Sequence, residues 1–182
     1  MRYTTNMKFV VPKIVVSQFH LHPGDVVADF GAGSGFFLKV LSEVVGEGGR
    51  VYACEIQKQL VEKLGTYVQT SGLLNVDTRW CDLESVGGTR LRADELDAAI
   101  VVNTLYQIDD KVACINEAAR TLRTGGKLLI IDWSDSETGI GPTSNHLIVS
   151  VDCIALCESH GFVLDRDFPA GDHHYGLAFR KV

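Results

Sequence analysis

Closely spaced glycines behind an acidic residue are the part of this sequence best suited to chemistry. Asp29 precedes a segment in which Gly31, Gly33 and Gly35 stand at alternate positions. Glycine lets a ligand approach the backbone closely, and a helix beginning just beyond such a loop offers unpaired N–H groups. A dinucleotide site needs a glycine or alanine where this chain has Phe36, and a carboxylate at position 29 disfavours phosphate but suits an amine. The segment therefore predicts a site for an ammonium-bearing nucleoside.

Alternating apolar strands and amphipathic helices are expected to position this loop. The loop follows an apolar strand that begins at Val26, and it precedes a helix that carries Phe36, Phe37 and Leu38. Further strands are expected over 51–55, 75–80, 97–102 and 127–132, helices over 57–71, 109–122 and 149–159, and a closing antiparallel pair over 162–168 and 175–180. Such alternation implies a doubly wound α/β sheet, which binds ligands at the carboxyl ends of its strands.

Several segments, taken together, resemble the class I S-adenosylmethionine-dependent methyltransferases. Residues 26–35 resemble the first motif of that class, 51–55 its second strand with a terminal acid, and 80–83 the end of its third strand. Residues 96–103 and 160–162 resemble its fourth strand and the step before its last two strands. The entry to its fifth strand is similar to 120–127, although Thr124 stands where proline is usual. The resemblance extends over about 23–181.

Within this class, the type 11 small-molecule branch looks most similar, and it includes quinone and arsenite methyltransferases. The segments that carry this likeness are 26–29, 131–133, 141–142 and 174–181. The resemblance implies one domain over 1–182 with a Rossmann-like seven-stranded sheet of order 3-2-1-4-5-7-6, in which strand 7 is antiparallel. It also implies S-adenosylmethionine as the methyl donor, with S-adenosylhomocysteine as product.

The resemblance assigns the methionine part of the donor to the first strand and its loop. It implies that Gly31, Ala32, Gly33 and Gly35 pass close to the methionine part, and that Asp29 orders the ammonium group. Asn103, after the fourth strand, would contribute its backbone there. An alternative likens 103–106 to the N-P-P-Y motif of amino-group methyltransferases, but both prolines are absent.

The adenosine part is assigned to the ends of the second and third strands. Glu55 follows Gly31 at a spacing that suits the ribose-binding acid of a βαβ unit, and one carboxylate suits both ribose hydroxyls. The resemblance places Asp82 against the adenine amino group. It also implies that Ile56 and Leu83 pack on opposite adenine faces.

Candidates for the acceptor side lie after the fourth and fifth strands. They are Tyr106, Asp132, Trp133 and His146. Methyl transfer from a sulfonium requires alignment and exclusion of water more than acid–base help. Because no general base is obvious, an acceptor that is nucleophilic at neutral pH (a thiol, amine, enolate or arsenite) is favoured.

Metal sites and disulfides are not predicted. The cysteines form no CxxC pair, although Cys153 and Cys157 share a helix face and could be either small buried residues or a thiolate site for a metalloid. Residues 172–175 contain adjacent histidines, but neighbouring strand residues point to opposite faces.

Composition restricts the partners and the location. A net charge of −6 argues against long nucleic acids, and no apolar run is long enough to span a bilayer. Without a signal-peptide core at the N-terminus, a cytoplasmic protein is expected, and the oligomeric state is left open. The arm over 1–22 should cover one end of the site, and the polar segment 134–145 should be either a lid or a passive connector.

Four functions fit the sequence to different degrees. A methyltransferase acting on a small molecule is favoured. An RNA or protein methyltransferase, which net acidity disfavours, and a donor-binding subunit without turnover are alternatives. A nicotinamide oxidoreductase is disfavoured by Phe36 and Asp29.

Overall fold

A seven-stranded sheet organises the protein, whose computed structural model describes residues 10–135, 142–143 and 145–182. The strands are β1 (Val26–Phe30), β2 (Arg50–Glu55), β3 (Val76–Trp80), β4 (Leu96–Val102), β5 (Leu122–Trp133), β6 (Phe162–Gly171) and β7 (His174–Lys181). Their order is β3-β2-β1-β4-β5-β7-β6. Strands β1 to β5 are parallel neighbours, and β7 lies antiparallel between β5 and β6. The predicted fold class and strand order are confirmed.

Helices cover both faces of the sheet. They are α1 (Pro12–Ser17), α2 (Leu38–Val45), α3 (Lys58–Thr70), α4 (Lys111–Thr121) and α5 (Ser150–Glu158). Apolar side chains of α1, α2 and α3 pack in one cluster with alternate residues of the central strands, and those of α4 and α5 pack in a second cluster with the residues between them. The central strands are therefore apolar on both faces, as buried parallel strands must be.

The chain segments for which the sequence predicts binding residues lie at one edge of the sheet. The carboxyl ends of β1 to β5 meet at this edge because these strands are parallel. Strand β7 runs the other way, so it begins at the same edge, where His174 pairs with Trp133. We call this side of the sheet the carboxyl edge.

The connection from β1 to α2 differs from the sequence-based expectation. Helix α2 begins at Leu38, and turns occupy the chain between Gly33 and Phe37. Gly35 donates its N–H to Ala32 O at 2.8 Å, which closes a tight turn before the helix can start. Phe36, expected within that helix, lies in the preceding turn and has 61% of its surface exposed. The helix N-terminus is thus separated from the glycine loop by one turn.

Smaller differences concern strand lengths. Strand β5 begins at Leu122 instead of position 127, and the closing pair of strands is longer than predicted at the end where β6 turns into β7. Residues 83–95, for which a short irregular helix or a loop was expected, contain no helix or strand.

The two segments predicted to cover the site are described only in part. Residues 1–9 of the predicted arm, and 136–141 and 144 of the predicted lid, lie outside the described residues. In the rest of the arm, Val15 and Val16 of α1 pack against the cluster that contains α2. None of the helices in the described ranges has the length and apolar character required to traverse a bilayer.

Candidate functional site

A cavity of about 480 Å³ opens at the carboxyl edge, next to the ends of β1, β2, β3 and β4. Every residue predicted to bind the donor lines it except Gly35. Its wall also contains residues that the sequence analysis did not assign to the donor, namely Ser34, Phe36, Phe37, Cys54, Gln57, Leu60, Cys81, Glu84, Val102, Thr104, Gln107 and Ile108. The structure therefore brings the predicted donor residues together around one space.

The three glycines of the loop have different structural roles. All three have positive φ, the conformation that glycine adopts most readily. A Cβ at Gly31 would collide with the side chain of Thr104, so this glycine allows the chain after β4 to approach. A Cβ at Gly35 would lie 2.9 Å from Leu64 Cδ2, so this glycine allows α3 to pack. A Cβ at Gly33 would meet nothing nearer than a backbone oxygen at 3.9 Å, and Gly33 itself lines the cavity.

Asp29 is a buried carboxyl group in the floor of the cavity. It lies near the end of β1, between β2 and β4, and only 3% of its surface is exposed. Burial, with a smaller contribution from the charge of Glu55, raises the pKa of Asp29 to about 7. A positive charge brought into the cavity would lower the pKa of Asp29 again, because it favours the ionised carboxylate.

Glu55 connects the glycine loop to the segment before α3. Its Oε2 accepts a hydrogen bond from the Gly33 N–H at 3.0 Å, and its Oε1 accepts one from the Gln57 N–H at 2.8 Å. These two bonds fix the carboxylate at the cavity wall. Each oxygen retains a lone pair, so Glu55 can still accept from two hydroxyl groups of a ligand.

The far end of the cavity combines an oriented carboxylate with two apolar side chains. Asp82 accepts a hydrogen bond from the Glu84 N–H at 3.0 Å and one from Ser85 Oγ at 2.6 Å. Leu83 is buried and Ile56 is half exposed, and both line the cavity. The Ile56 carbonyl accepts from Trp80 Nε1 at 2.7 Å, which holds that segment in place. This end could take a flat ring with an exocyclic amine.

Asn103 closes the cavity beyond β4. Its backbone is left-handed with φ of 50°, its N–H donates to Ile131 O at 2.8 Å, and its carbonyl accepts from Gln107 Nε2 at 2.8 Å. Its side-chain Oδ1 is buried and has no hydrogen-bond partner within the described chain. The backbone carbonyl of Asn103 thus already accepts one hydrogen bond, whereas its side-chain oxygen accepts none from the described residues.

The four residues predicted for the acceptor side do not line this cavity. Asp132 is buried, with 1% of its surface exposed. Its carboxylate oxygens accept hydrogen bonds from the Tyr106 N–H at 3.1 Å and from the Trp133 N–H at 2.8 Å. Burial raises the pKa of Asp132 to about 6. Asp132 therefore holds the short 3₁₀ turn over Leu105–Gln107 against β5. Burial, with a smaller contribution from Asp132, raises the pKa of Tyr106.

The side chain of His146, the last of the four acceptor candidates, is exposed. Their proposed contact with an acceptor remains a prediction.

A residue that the sequence analysis did not select lies beside Trp133. The ring of His174 packs against the indole with centroids 4.2 Å apart, and it is 8% exposed. Trp133 Nε1 and His174 Nε2 are both buried without a hydrogen-bond partner in the described chain. The only sequence signal was the pair of adjacent histidines, and the pairing of β5 with β7 was needed to show which one faces Trp133.

The cysteines contribute buried thiols. Cys153 and Cys157 both lie on the inner face of α5, in the cluster that covers one face of the sheet. A hydrogen bond with Cys153 and burial raise the pKa of Cys157, and burial raises the pKa of Cys114 to about 12. The thiols of Cys157 and Cys114 therefore stay protonated at neutral pH. Across the ranges that the structure describes, no group of three or more potential metal ligands occurs.

Comparisons with known proteins agree with this geometry. The profile of a family described as a methyltransferase domain, type 11, matches residues 28–130. A solved structure of a SAM-dependent methyltransferase from Aquifex aeolicus has a TM-score of 0.88 and 27% identity, and the match covers 96% of this chain and 91% of that chain.

Curated relatives match over a shorter range. A ubiquinone/menaquinone biosynthesis C-methyltransferase from Hydrogenovibrio crunogenus is 26% identical over 63% of this chain and 44% of its own length. An arsenite methyltransferase from Halobacterium salinarum is 28% identical over 60% of this chain and 27% of its own length. The chain thus spans less than half the length of either relative.

Proposed function

Because the chain belongs to the type 11 methyltransferase domain family, within the class I S-adenosylmethionine-dependent methyltransferases, we propose that it transfers a methyl group from S-adenosylmethionine to a small molecule. One observation carries this proposal. The acidic residues Asp29, Glu55 and Asp82 lie at or just beyond the carboxyl ends of neighbouring strands, and they line one cavity beside a glycine loop with free space above Gly33.

The residues present fit this donor. An orphaned buried oxygen, Asn103 Oδ1, and the buried carboxyl of Asp29 line the same cavity, and both suit an ammonium group. Glu55 has acceptor capacity left for the two ribose hydroxyls. Asp82 can accept from the adenine amine, with Ile56 and Leu83 against the ring.

The chemical step requires little from the protein beyond position. S-adenosylmethionine supplies a methyl group that is already electrophilic because it is attached to a sulfonium. The glycine loop and Asn103 would hold the donor at the carboxyl edge, and the apolar wall would exclude water. Alignment of the donor and the acceptor is then the main contribution of this chain.

A small-molecule acceptor is supported by charge and by relatives. The net charge of −6 disfavours a polyanion as acceptor. The two curated relatives are named for quinone biosynthesis and for arsenite. Arsenite fits this chain less well, because capture of a metalloid requires accessible thiolates and all the cysteines are buried.

The donor assignment is tested by calorimetry with S-adenosylhomocysteine and NAD. The parent should bind S-adenosylhomocysteine and not NAD. Glu55→Ala should weaken binding by about 1.5–3 kcal/mol, because it removes charged hydrogen bonds to two hydroxyls. Glu62→Ala is the matched control, since Glu62 is exposed on α3 and outside the cavity. If Glu55→Ala binds as tightly as the parent, the ribose assignment is wrong.

The acceptor class needs a separate measurement. Methyl-labelled S-adenosylmethionine would be incubated with the protein and, in parallel, with metabolite, RNA and protein fractions. Label in the metabolite fraction supports the proposal. Label only in RNA or protein would contradict a small-molecule acceptor while leaving the donor site intact.

A further inference from the structure

Unpartnered polar atoms gather at the carboxyl edge, beyond the cavity described above. In the described chain, the buried side-chain atoms without a hydrogen-bond partner are Asn103 Oδ1, Trp133 Nε1 and His174 Nε2. Buried polar groups are nearly always paired, so an unpaired one requires an explanation. Asn103 lines the cavity described above, which we call the donor cavity, whereas Trp133 and His174 do not line it.

The protonation of His174 follows from its other ring nitrogen. His174 Nδ1 lies 2.9 Å from the carbonyl oxygen of Asp172. A carbonyl oxygen can only accept, so Nδ1 carries the hydrogen and Nε2 of the neutral ring has the lone pair. The structure thus presents a proton acceptor, His174 Nε2, and a donor, Trp133 Nε1–H, on two rings in contact.

Sheet geometry places this pair on the same face and at the same edge of the sheet as Asp29. Alternate residues of a strand share a face. Ile131 lies in the cluster under α2, so Trp133 shares that face. Ala178 lies in the same cluster, so His174 also shares it. Asp29 is on this face of β1, and only β4 separates β1 from β5. The pair therefore lies on the donor's face of the sheet, at the same edge.

We propose that His174 and Trp133 bind the methyl acceptor, and that the acceptor is a flat molecule with an acidic hydroxyl group, a phenol or an enol. This inference rests on the proposed function. His174 Nε2 accepts the hydroxyl proton, and Trp133 Nε1–H donates a hydrogen bond to the acceptor's oxygen. A flat ring matches the two aromatic side chains. Both nitrogens are covered in this structure, so the acceptor must displace the atoms that cover them.

The proton transfer balances without a further reactant. The hydroxyl proton moves to Nε2, which makes the imidazole a cation, and the electron pair stays on the acceptor. That pair forms the new bond to the methyl carbon, from the oxygen or from the conjugated carbon. The bond between the methyl carbon and sulfur breaks, and its pair stays on sulfur. The donor loses its positive charge as His174 gains one.

The neighbouring histidine does not offer the same chemistry. His173 Nδ1 lies 2.8 Å from Asp135 Oδ2, and the His173 side chain is about one-third exposed. Asp132 also flanks Trp133, but its residue position alternates to the opposite face, where it holds backbone N–H groups. His174 is therefore the buried base in this group.

The proposal is tested with phenol and anisole as probes. Protein labelled with ¹⁵N at histidine and tryptophan, saturated with S-adenosylhomocysteine, would be titrated with each probe and observed by NMR. Phenol should shift His174 Nε2 and Trp133 Nε1 saturably, and anisole, which has no hydroxyl proton, should leave Nε2 unchanged. Shifts of neither nitrogen with phenol, or equal shifts with anisole, would overturn the proposal.

Variants give an independent measurement. His174→Phe keeps a ring against Trp133 and should weaken phenol binding about tenfold, the effect of one lost hydrogen bond, with S-adenosylhomocysteine affinity unchanged. His160→Gln is the matched control, because His160 Nδ1 also lies at hydrogen-bond distance from a backbone carbonyl but follows α5. Unchanged phenol affinity in His174→Phe would contradict the proposal.

The two proposals fail in different ways. If the parent does not bind S-adenosylhomocysteine, the donor assignment fails. If it binds S-adenosylhomocysteine but phenol leaves both nitrogens unshifted, only the assignment of His174 and Trp133 fails.

Discussion

Asp29 is a carboxyl group whose charge is costly unless a cation is near. It is buried at the end of β1, and burial, with the charge of Glu55, raises its pKa to about 7. A ligand with an ammonium group would bind the ionised form preferentially. Below the pKa, binding must first remove a proton from Asp29, which reduces the affinity.

The affinity for S-adenosylhomocysteine should therefore increase with pH. With a pKa of about 7, binding at pH 7.5 should be roughly eightfold tighter than at pH 6, because the ionised fraction rises by that factor. Calorimetry at both pH values measures this. The matched ligand is 5′-methylthioadenosine, which lacks the ammonium group and should show no such dependence.

Asp29→Asn separates the charge from the shape of this site. The amide keeps an oxygen in place but cannot ionise, so S-adenosylhomocysteine binding should be weaker and independent of pH over this range. A pH dependence that persists in Asp29→Asn would assign the titration to another group and remove Asp29 from the ammonium site.

The convergence of three acidic side chains on one cavity was predictable for a geometric reason. Asp29, Glu55 and Asp82 each lie at or just beyond the carboxyl end of a predicted strand, and parallel strands end at one edge, so their meeting follows from the alternation of strands and helices. The hydrogen bonds of Glu55 to the Gly33 and Gln57 N–H groups were not predictable, because they depend on loop conformation. The hydrogen bond from the Tyr106 N–H to Asp132 depends likewise on the turn after β4.

The glycine loop forms part of the wall of the cavity through Gly31 and Gly33. Gly33→Ala should abolish or strongly weaken S-adenosylhomocysteine binding while the fold is retained, because Gly33 lines the cavity and a side chain there hinders close approach of a ligand to the loop. The positive φ of 54° should cost about 1 kcal/mol of stability for a residue other than glycine. Calorimetry and urea unfolding measure the two effects.

Gly72→Ala is the matched control for this change. Gly72 has φ of 66°, a Cβ there would meet nothing within 4 Å, and the residue lies outside the cavity. It should lose similar stability and bind S-adenosylhomocysteine like the parent. Normal binding by Gly33→Ala would show that the loop does not approach the donor.

Helices and strands were predicted well where their hydrophobic pattern was strong. They were predicted less well where backbone geometry determines where an element begins or ends. The central strands follow from apolar runs, but the start of α2 at Leu38 depends on the turn closed by Gly35. The contact of Trp133 with His174 depends on the antiparallel register of β5 and β7, which no local pattern encodes. The missed base therefore lies where the fold joins distant segments.

The molecule as a whole carries buried acids on both faces of its sheet, and their titration affects its stability. Burial raises the pKa of Asp29 to about 7 and that of Asp132 to about 6, from an ordinary value of 3.8. The pKa of Glu117 shifts in the opposite direction. Hydrogen bonds from Arg120, Thr89 and Gly87 outweigh burial and lower its pKa to about 2. Stability should therefore respond to pH in two directions.

The free energy of unfolding should be greatest near pH 4 to 5 and should fall as the pH rises towards 7. In this window the folded state keeps protons on Asp29 and Asp132 that the unfolded chain has released, so raising the pH favours unfolding. Below pH 4, protonation of Glu117 removes stability instead. Urea unfolding at pH 5, 6, 7 and 8 measures the decline.

Asp29→Asn should flatten this decline and should be more stable than the parent at pH 8, by an amount on the order of a few kcal/mol. Asp109→Asn, which changes an exposed carboxyl group, should follow the parent curve. A parent whose stability rises from pH 5 to pH 8 would show that Asp29 is ionised at little cost, and it would remove the physical basis for its preference for a cation.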